Sequence, residues 1–185
     1  MHKLILSLIF LSVIFTSCKK EQNPFEISKH HIGLLTDSTQ IKDLKTIFIN
    51  DSISKYTSGD EFAGSVNNIE IFKKSGEKRL ILTPQNSLDS TSVIESIQIL
   101  DPEYKTTKGI STLSTFKDII TAYKISKIDN LINSVAIYVN EINASFVIDK
   151  KELPANLRFD LDLKFEETHI PDNAKIKYFF LIWNN

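Results

Sequence analysis

Two stretches of this chain read alike, and that likeness constrains the fold more than any other feature. Gly33-Leu34-Leu35-Thr36-Asp37-Ser38-Thr39 matches Gly109-Ile110-Ser111-Thr112-Leu113-Ser114-Thr115, with Gly, Ser and Thr at the same spacing. Directly downstream, Ile41–Phe48 matches Phe116–Tyr123, with Gln40 as one extra residue in the first copy. Both segments describe a glycine turn, a polar N-cap and a short amphipathic helix. Ile41, Leu44, Ile47 and Phe48 share one helical stripe, as do Phe116, Ile119, Ile120 and Tyr123. Thr115 and Asp118 have the spacing of a capping box, and Asp37 with Gln40 offers a comparable pair.

The likeness continues without a gap over 69–83 and 135–149. Ile69, Ile71, Phe72, Leu80, Ile81 and Leu82 fall opposite Val135, Ile137, Tyr138, Phe146, Val147 and Ile148. Alternation of β-branched and aromatic residues around a turn predicts a hairpin in each copy. A third strand is expected at Glu95–Leu100 and at Lys175–Trp183, and Leu157, Phe159, Leu161, Leu163 and Phe165 alternate as an extra strand in the second copy. Three collinear matches point to duplication. The expected class is therefore α+β: two degenerate helix-plus-three-strand antiparallel units, over 25–100 and 101–185, with the helices on one face of a sheet.

The first residues carry an address. After His2 and Lys3, Leu4–Phe15 holds no charge. It falls short of the roughly 20 residues that a spanning helix needs, and suits the apolar part of a signal peptide. Phe15-Thr16-Ser17-Cys18 resembles the lipobox of bacterial lipoproteins, with Phe15 where that family more often has Leu. The resemblance implies cleavage of 1–17, lipidation of Cys18, and a membrane anchor made by acyl chains. Lys19–Pro24 is polar and ends in proline, so 18–24 reads as a lipidated tether. The expected location is the cell envelope at the outer membrane.

Removing 1–17 takes away one lysine and no acid, which moves the formal charge from −1 to −2. A weakly acidic chain whose only arginines are Arg79 and Arg158 has no electrostatic footprint for nucleic acid. Cys18 is the single cysteine, so lipidation leaves no thiol for a disulfide, metal or nucleophile. The helix-then-strands order, with Gly-x-x-x-x-Ser-Thr before the helix, resembles the β-lactamase-inhibitor-like fold and the SmpA/OmlA-type outer-membrane lipoproteins. That resemblance implies an interaction module, and no inhibitory residue carries over. The chain also resembles envelope lipoproteins with no assigned activity.

No nucleophile elbow, zinc-protease, Walker or dinucleotide pattern occurs. His30 and His31 are adjacent and point to opposite faces of an extended chain, which argues against one shared ion. Asp160-Leu161-Asp162 reads as a solvated strand edge rather than a calcium cage. No catalytic residue, metal or cofactor is therefore expected. Two places are candidate binding surfaces. The Asp60-Glu61-Phe62 segment lies in a long connection between Asn50 and Val66. The last strand is apolar on both faces, and Phe179, Leu181 and Trp183 form either an exposed patch for a partner or a face buried under a loop. The expected function is a non-catalytic envelope binding or scaffolding module with an envelope protein as partner. The alternative is a hydrolase or carbohydrate-active enzyme that uses Asp60, Glu61 and other carboxylates.

Overall fold

The computed structural model describes residues 23–58 and 66–183. The N-terminal part holds β1 (Glu26–Ile27), β2 (His31–Ile32), β3 (Leu35–Thr36), α1 (Leu44–Ile47), β4 (Ser52–Ser58), β5 (Val66–Phe72), β6 (Lys78–Pro84) and β7 (Ile94–Ile99). After it come β8 (Lys105–Thr106), α2 (Phe116–Ala122), β9 (Lys127–Asn130), β10 (Ser134–Val139), β11 (Ala144–Asp149) and β12 (Ile176–Ile182). The expected signal peptide and Cys18 lie outside the described residues, as do Asp60, Glu61 and Phe62.

The strands form two sheets, one of eight in the order β4-β5-β6-β7-β12-β11-β10-β9 and one of four in the order β3-β2-β1-β8. This overturns the expected α+β class with helices covering one face. Among the described residues the molecule is mostly β, and its two α-helices are short. Each half contributes four strands to the large sheet rather than three. The additional ones, β4 and β9, are its edges. The connection expected between Asn50 and Val66 is thus partly the strand β4, whose small polar residues give little alternation.

Read from either edge, the sheet order is the same: four consecutive strands meet at the antiparallel β7–β12 pair. Ile69 faces Leu82 and Ile71 faces Leu80 in one half, as Val135 faces Ile148 and Ile137 faces Phe146 in the other. Isolated bridges join Gln40 to Val93 and Thr115 to Lys175, each tying the residue before a helical segment (the 3-10 turn Ile41–Asp43 that leads into α1, or α2 itself) to the residue before the last strand of its half. They make Gln40, not Thr39, the counterpart of Thr115. The same register reappears in the turns: the Thr36 N–H donates to Thr39 Oγ1 at 2.9 Å, and the Ser111 N–H donates to Ser114 Oγ at 3.1 Å.

One face of the large sheet carries Ile69, Ile71, Leu80, Leu82, Ile97 and Ile99, continued by Phe179, Leu181, Phe146 and Ile148. These side chains share one core with Ile27, Ile32 and Leu35 of the small sheet, while the helices add chiefly Leu44, Phe116 and Ile119. Phe146 and Phe179 lie side by side across β11 and β12, with ring centroids 4.5 Å apart. Gly33 is obligatory here. Its φ is +57°, and a Cβ would stand 2.2 Å from the Pro24 carbonyl oxygen.

The second helix is fastened by the Thr115–Asp118 capping box. Its short length makes that cap matter. Thr115→Ala should lower stability by about 1 kcal/mol, read as a shift in the urea midpoint. An unchanged midpoint would show that the bridge to Lys175 alone holds this end.

The alternating run 157–165 is not a strand. Asp160 accepts the Asp162 and Leu163 N–H groups, and the Asn130 side-chain amide donates to the carbonyls of Asp160, Leu161 and Leu163 at 2.9–3.1 Å. These side chains satisfy backbone groups that a neighbouring strand would otherwise need to pair.

Candidate functional site

Of the expected binding residues, Phe179 and Leu181 are fully buried and Trp183 is only 2 % exposed. They are core, not a partner surface. The register of β12 decides this, because it turns Phe179 and Leu181 onto the face shared with Phe146 and Ile97. Trp183 is closed off by the N-terminal segment, whose Lys29 carbonyl accepts the indole N–H at 3.0 Å. Tyr178, at the opposite face, is the exposed aromatic of the strand.

The histidines are spread over separate local contacts. His30 Nδ1 is 2.7 Å from Asp37 Oδ2, His31 Nδ1 meets Ser28 Oγ, and His169 Nδ1 accepts the Glu166 N–H. No group of three metal-ligating side chains converges among the described residues.

The most connected polar cluster is one the sequence hides. Arg79 donates to Asp101 at 3.0 Å, to Asp51 at 3.1 Å and to Glu103 at 3.2 Å. Its guanidinium also lies 5.0 Å from the Phe25 ring and 5.4 Å from the Tyr104 ring. Lys73 reaches Asp101 at 3.1 Å and Glu103 at 3.4 Å. Burial pushes the Asp101 carboxyl up, but the Glu103 backbone N–H, Lys73 and Arg79 outweigh it and hold Asp101 below the usual carboxylate range. Burial likewise dominates at Tyr104 and pushes its phenol up to about 12. The partners are 22 to 28 residues from Arg79, so no local spacing announces them.

Beside this cluster runs a groove of about 1070 Å³, lined among others by Phe25, Glu103, Lys105, Leu113, Asp118 and Thr121. Its two acids are both committed. Glu103 is held by Arg79 and Lys73, and Asp118 receives the Thr115 backbone N–H at 2.7 Å and the Thr115 hydroxyl at 2.9 Å. Those two bonds lower the Asp118 pKa, so its carboxylate is ionised near neutral pH and has no proton to donate. The groove offers shape, exposed lysine and an apolar Leu113, which suits binding.

A second concave region lies at the far part of the sheet. Leu131, Ile132 and Leu161 surround one hollow, and Ile132, Phe159, Lys151, Arg158 and Lys177 surround another of about 430 Å³. Ile132 is 75 % and Phe159 87 % exposed.

No family model matches the chain. No curated protein matches it either. Among solved structures, the protein YfeY of Escherichia coli, whose structure was determined as that of an uncharacterised protein, aligns with a TM-score of 0.56. It is 15 % identical, and the match covers 85 % of this chain and 99 % of that one. The likeness is one of fold.

Proposed function

We propose that this chain is an envelope lipoprotein, anchored through acyl chains at Cys18, that binds a protein partner along the groove beside α2 without catalysing a reaction. The observation that carries the reading is the state of the groove's acids. A hydrolytic carboxylate pair needs one acid free to donate a proton and a second free to attack or to activate water. Here Asp118 is spent on a helix cap and Glu103 on an ion network. The lipobox-like Phe15–Cys18 supplies the tether.

The test places a photoreactive residue at Leu113, in the groove, and in a second chain at Leu88, which is 90 % exposed elsewhere. Irradiation of intact cells should give a discrete adduct from position 113 that is absent from position 88 and weakened by Thr121→Arg. Identical adducts from both positions would sink the groove reading. In parallel, Cys18→Ser should abolish fatty-acid labelling and release the protein from membranes. A Cys18→Ser protein with wild-type mass and partitioning would overturn the anchor.

A further inference from the structure

The antiparallel order of the large sheet puts the β9–β10 turn, the end of β11 and the starts of β12 and β6 at one end. The N-terminal segment meets the fold there as well. Phe25 packs on Arg79, near the start of β6, whereas Lys29 has already reached Trp183 at the opposite end. Four residues lie between Cys18 and Asn23, and the five steps of chain reach about 17 Å when fully extended. On the reading that Cys18 is lipidated, this end of the sheet must face the bilayer closely.

What that end displays fits such a neighbour. Ile132 in the β9–β10 turn and Phe159 and Leu161 in the loop after β11 are exposed apolar side chains. The Asn130 amide holds the loop's carbonyls, so the apolar groups sit on an ordered support. Around the hollow between Ile132 and Phe159 stand Lys151, Arg158 and Lys177. Lys177 pairs with Asp149 at 2.8 Å, Lys151 stands within Coulombic reach of the same carboxylate, and Arg158 donates to the carbonyls of Leu153 and Lys151 at 2.8 and 3.0 Å. Apolar tips beside three cations that share a single carboxylate, Asp149, are complementary to a bilayer surface, where acyl chains take the tips and anionic headgroups take the excess positive charge.

We propose that the β9–β10 turn and the loop after β11 form a membrane-docking edge, which inserts Ile132 and Phe159 into the interface and sets Lys151 and Arg158 among anionic phospholipid headgroups. The edge fixes the orientation of the domain on the bilayer. It rests on the lipid-anchor reading for its proximity to the membrane and on the exposed side chains for its chemistry.

The experiment uses the full chain purified from membranes and reconstituted into phosphatidylethanolamine–phosphatidylglycerol vesicles with brominated acyl chains. Phe159→Trp is compared with Leu88→Trp, and buried Trp183 serves as a shared background. The Trp at 159 should lose roughly half of its emission to bromine, as expected for a side chain about 5–10 Å into the headgroup and acyl boundary, and the Trp at 88 should lose none. Quenching at 159 should fall in Lys151→Glu/Arg158→Glu and in vesicles of phosphatidylcholine alone. Equal quenching at 159 and 88 in protein of acylated mass overturns the docking edge and leaves the anchor intact. Shielding of the Trp at 159 from iodide without bromine quenching also overturns it, because a second copy of the chain then covers the edge. If the mass shows no acyl chain, the anchor reading falls. Sedimentation of that protein with phosphatidylglycerol vesicles would then uphold the edge, and its absence would overturn both.

Discussion

Replacing Trp183 with alanine should cost about 3–5 kcal/mol of unfolding free energy, the range expected when a large buried aromatic is truncated. Two losses act together. The indole leaves a cavity in a core shared with the sheet, and the Lys29 carbonyl loses the N–H it accepts. The second loss reaches the N-terminal segment, which Trp183 holds over the end of the sheet. Urea unfolding followed by circular dichroism reads the cost. Iodide should leave the emission of the single tryptophan unquenched in the folded protein. A cost below 1 kcal/mol, or ready quenching, would return Trp183 to the surface.

Arg79→Met should also destabilise strongly, by about 3 kcal/mol, because it strands Asp101, whose side chain is 2 % exposed, with Lys73 alone. Asp101→Asn on the Arg79→Met background should recover part of that loss, since an amide needs no counter-charge. The pH dependence follows from the sign of the Asp101 shift. Its folded pKa lies below that of the unfolded chain, so its stabilisation is present above the unfolded value of about 3.9 and is lost as pH falls towards the folded value. Wild type should therefore lose stability as pH falls below about 4, and Arg79→Met should lose less over the same acid range. Tyr104 sets the opposite limit. Its raised pKa keeps a proton that the unfolded chain gives up, so stability falls as pH rises from about 10 towards 12. Equal acid slopes in the two proteins would show that Arg79 does not set the Asp101 pKa.

The hairpins were legible because they are local. The segments 69–83 and 135–149 carry the same alternating apolar residues, and β5–β6 and β10–β11 pair them in the same register. The short helices were legible for the same reason, since stripes at helical spacing and a Thr-x-x-Asp cap are read within one turn or two. The class is not legible in the sequence because the small sheet is built from strands of two residues, too short to show any period. The edge strands β4 and β9 leave no clear pattern because an edge is paired on one side only and tolerates polar residues.

By itself, the amino-acid order determined the repeated hairpin patterns, the capped helix and the absence of a thiol beyond Cys18. Tertiary structure decided which face of β12 is inside. Residues 178–182 are apolar on both faces, so alternation is silent, and only the covering Lys29 segment and the neighbours Phe146 and Ile97 turn Phe179, Leu181 and Trp183 inward. It also assembled Arg79 with Asp51, Asp101 and Glu103, and gathered Ile132, Phe159, Lys151 and Arg158 at one end of the sheet. These partners come from separate strands and loops. Their proximity is a product of strand order and register, which hydrogen bonds between distant segments select and which local propensity does not encode.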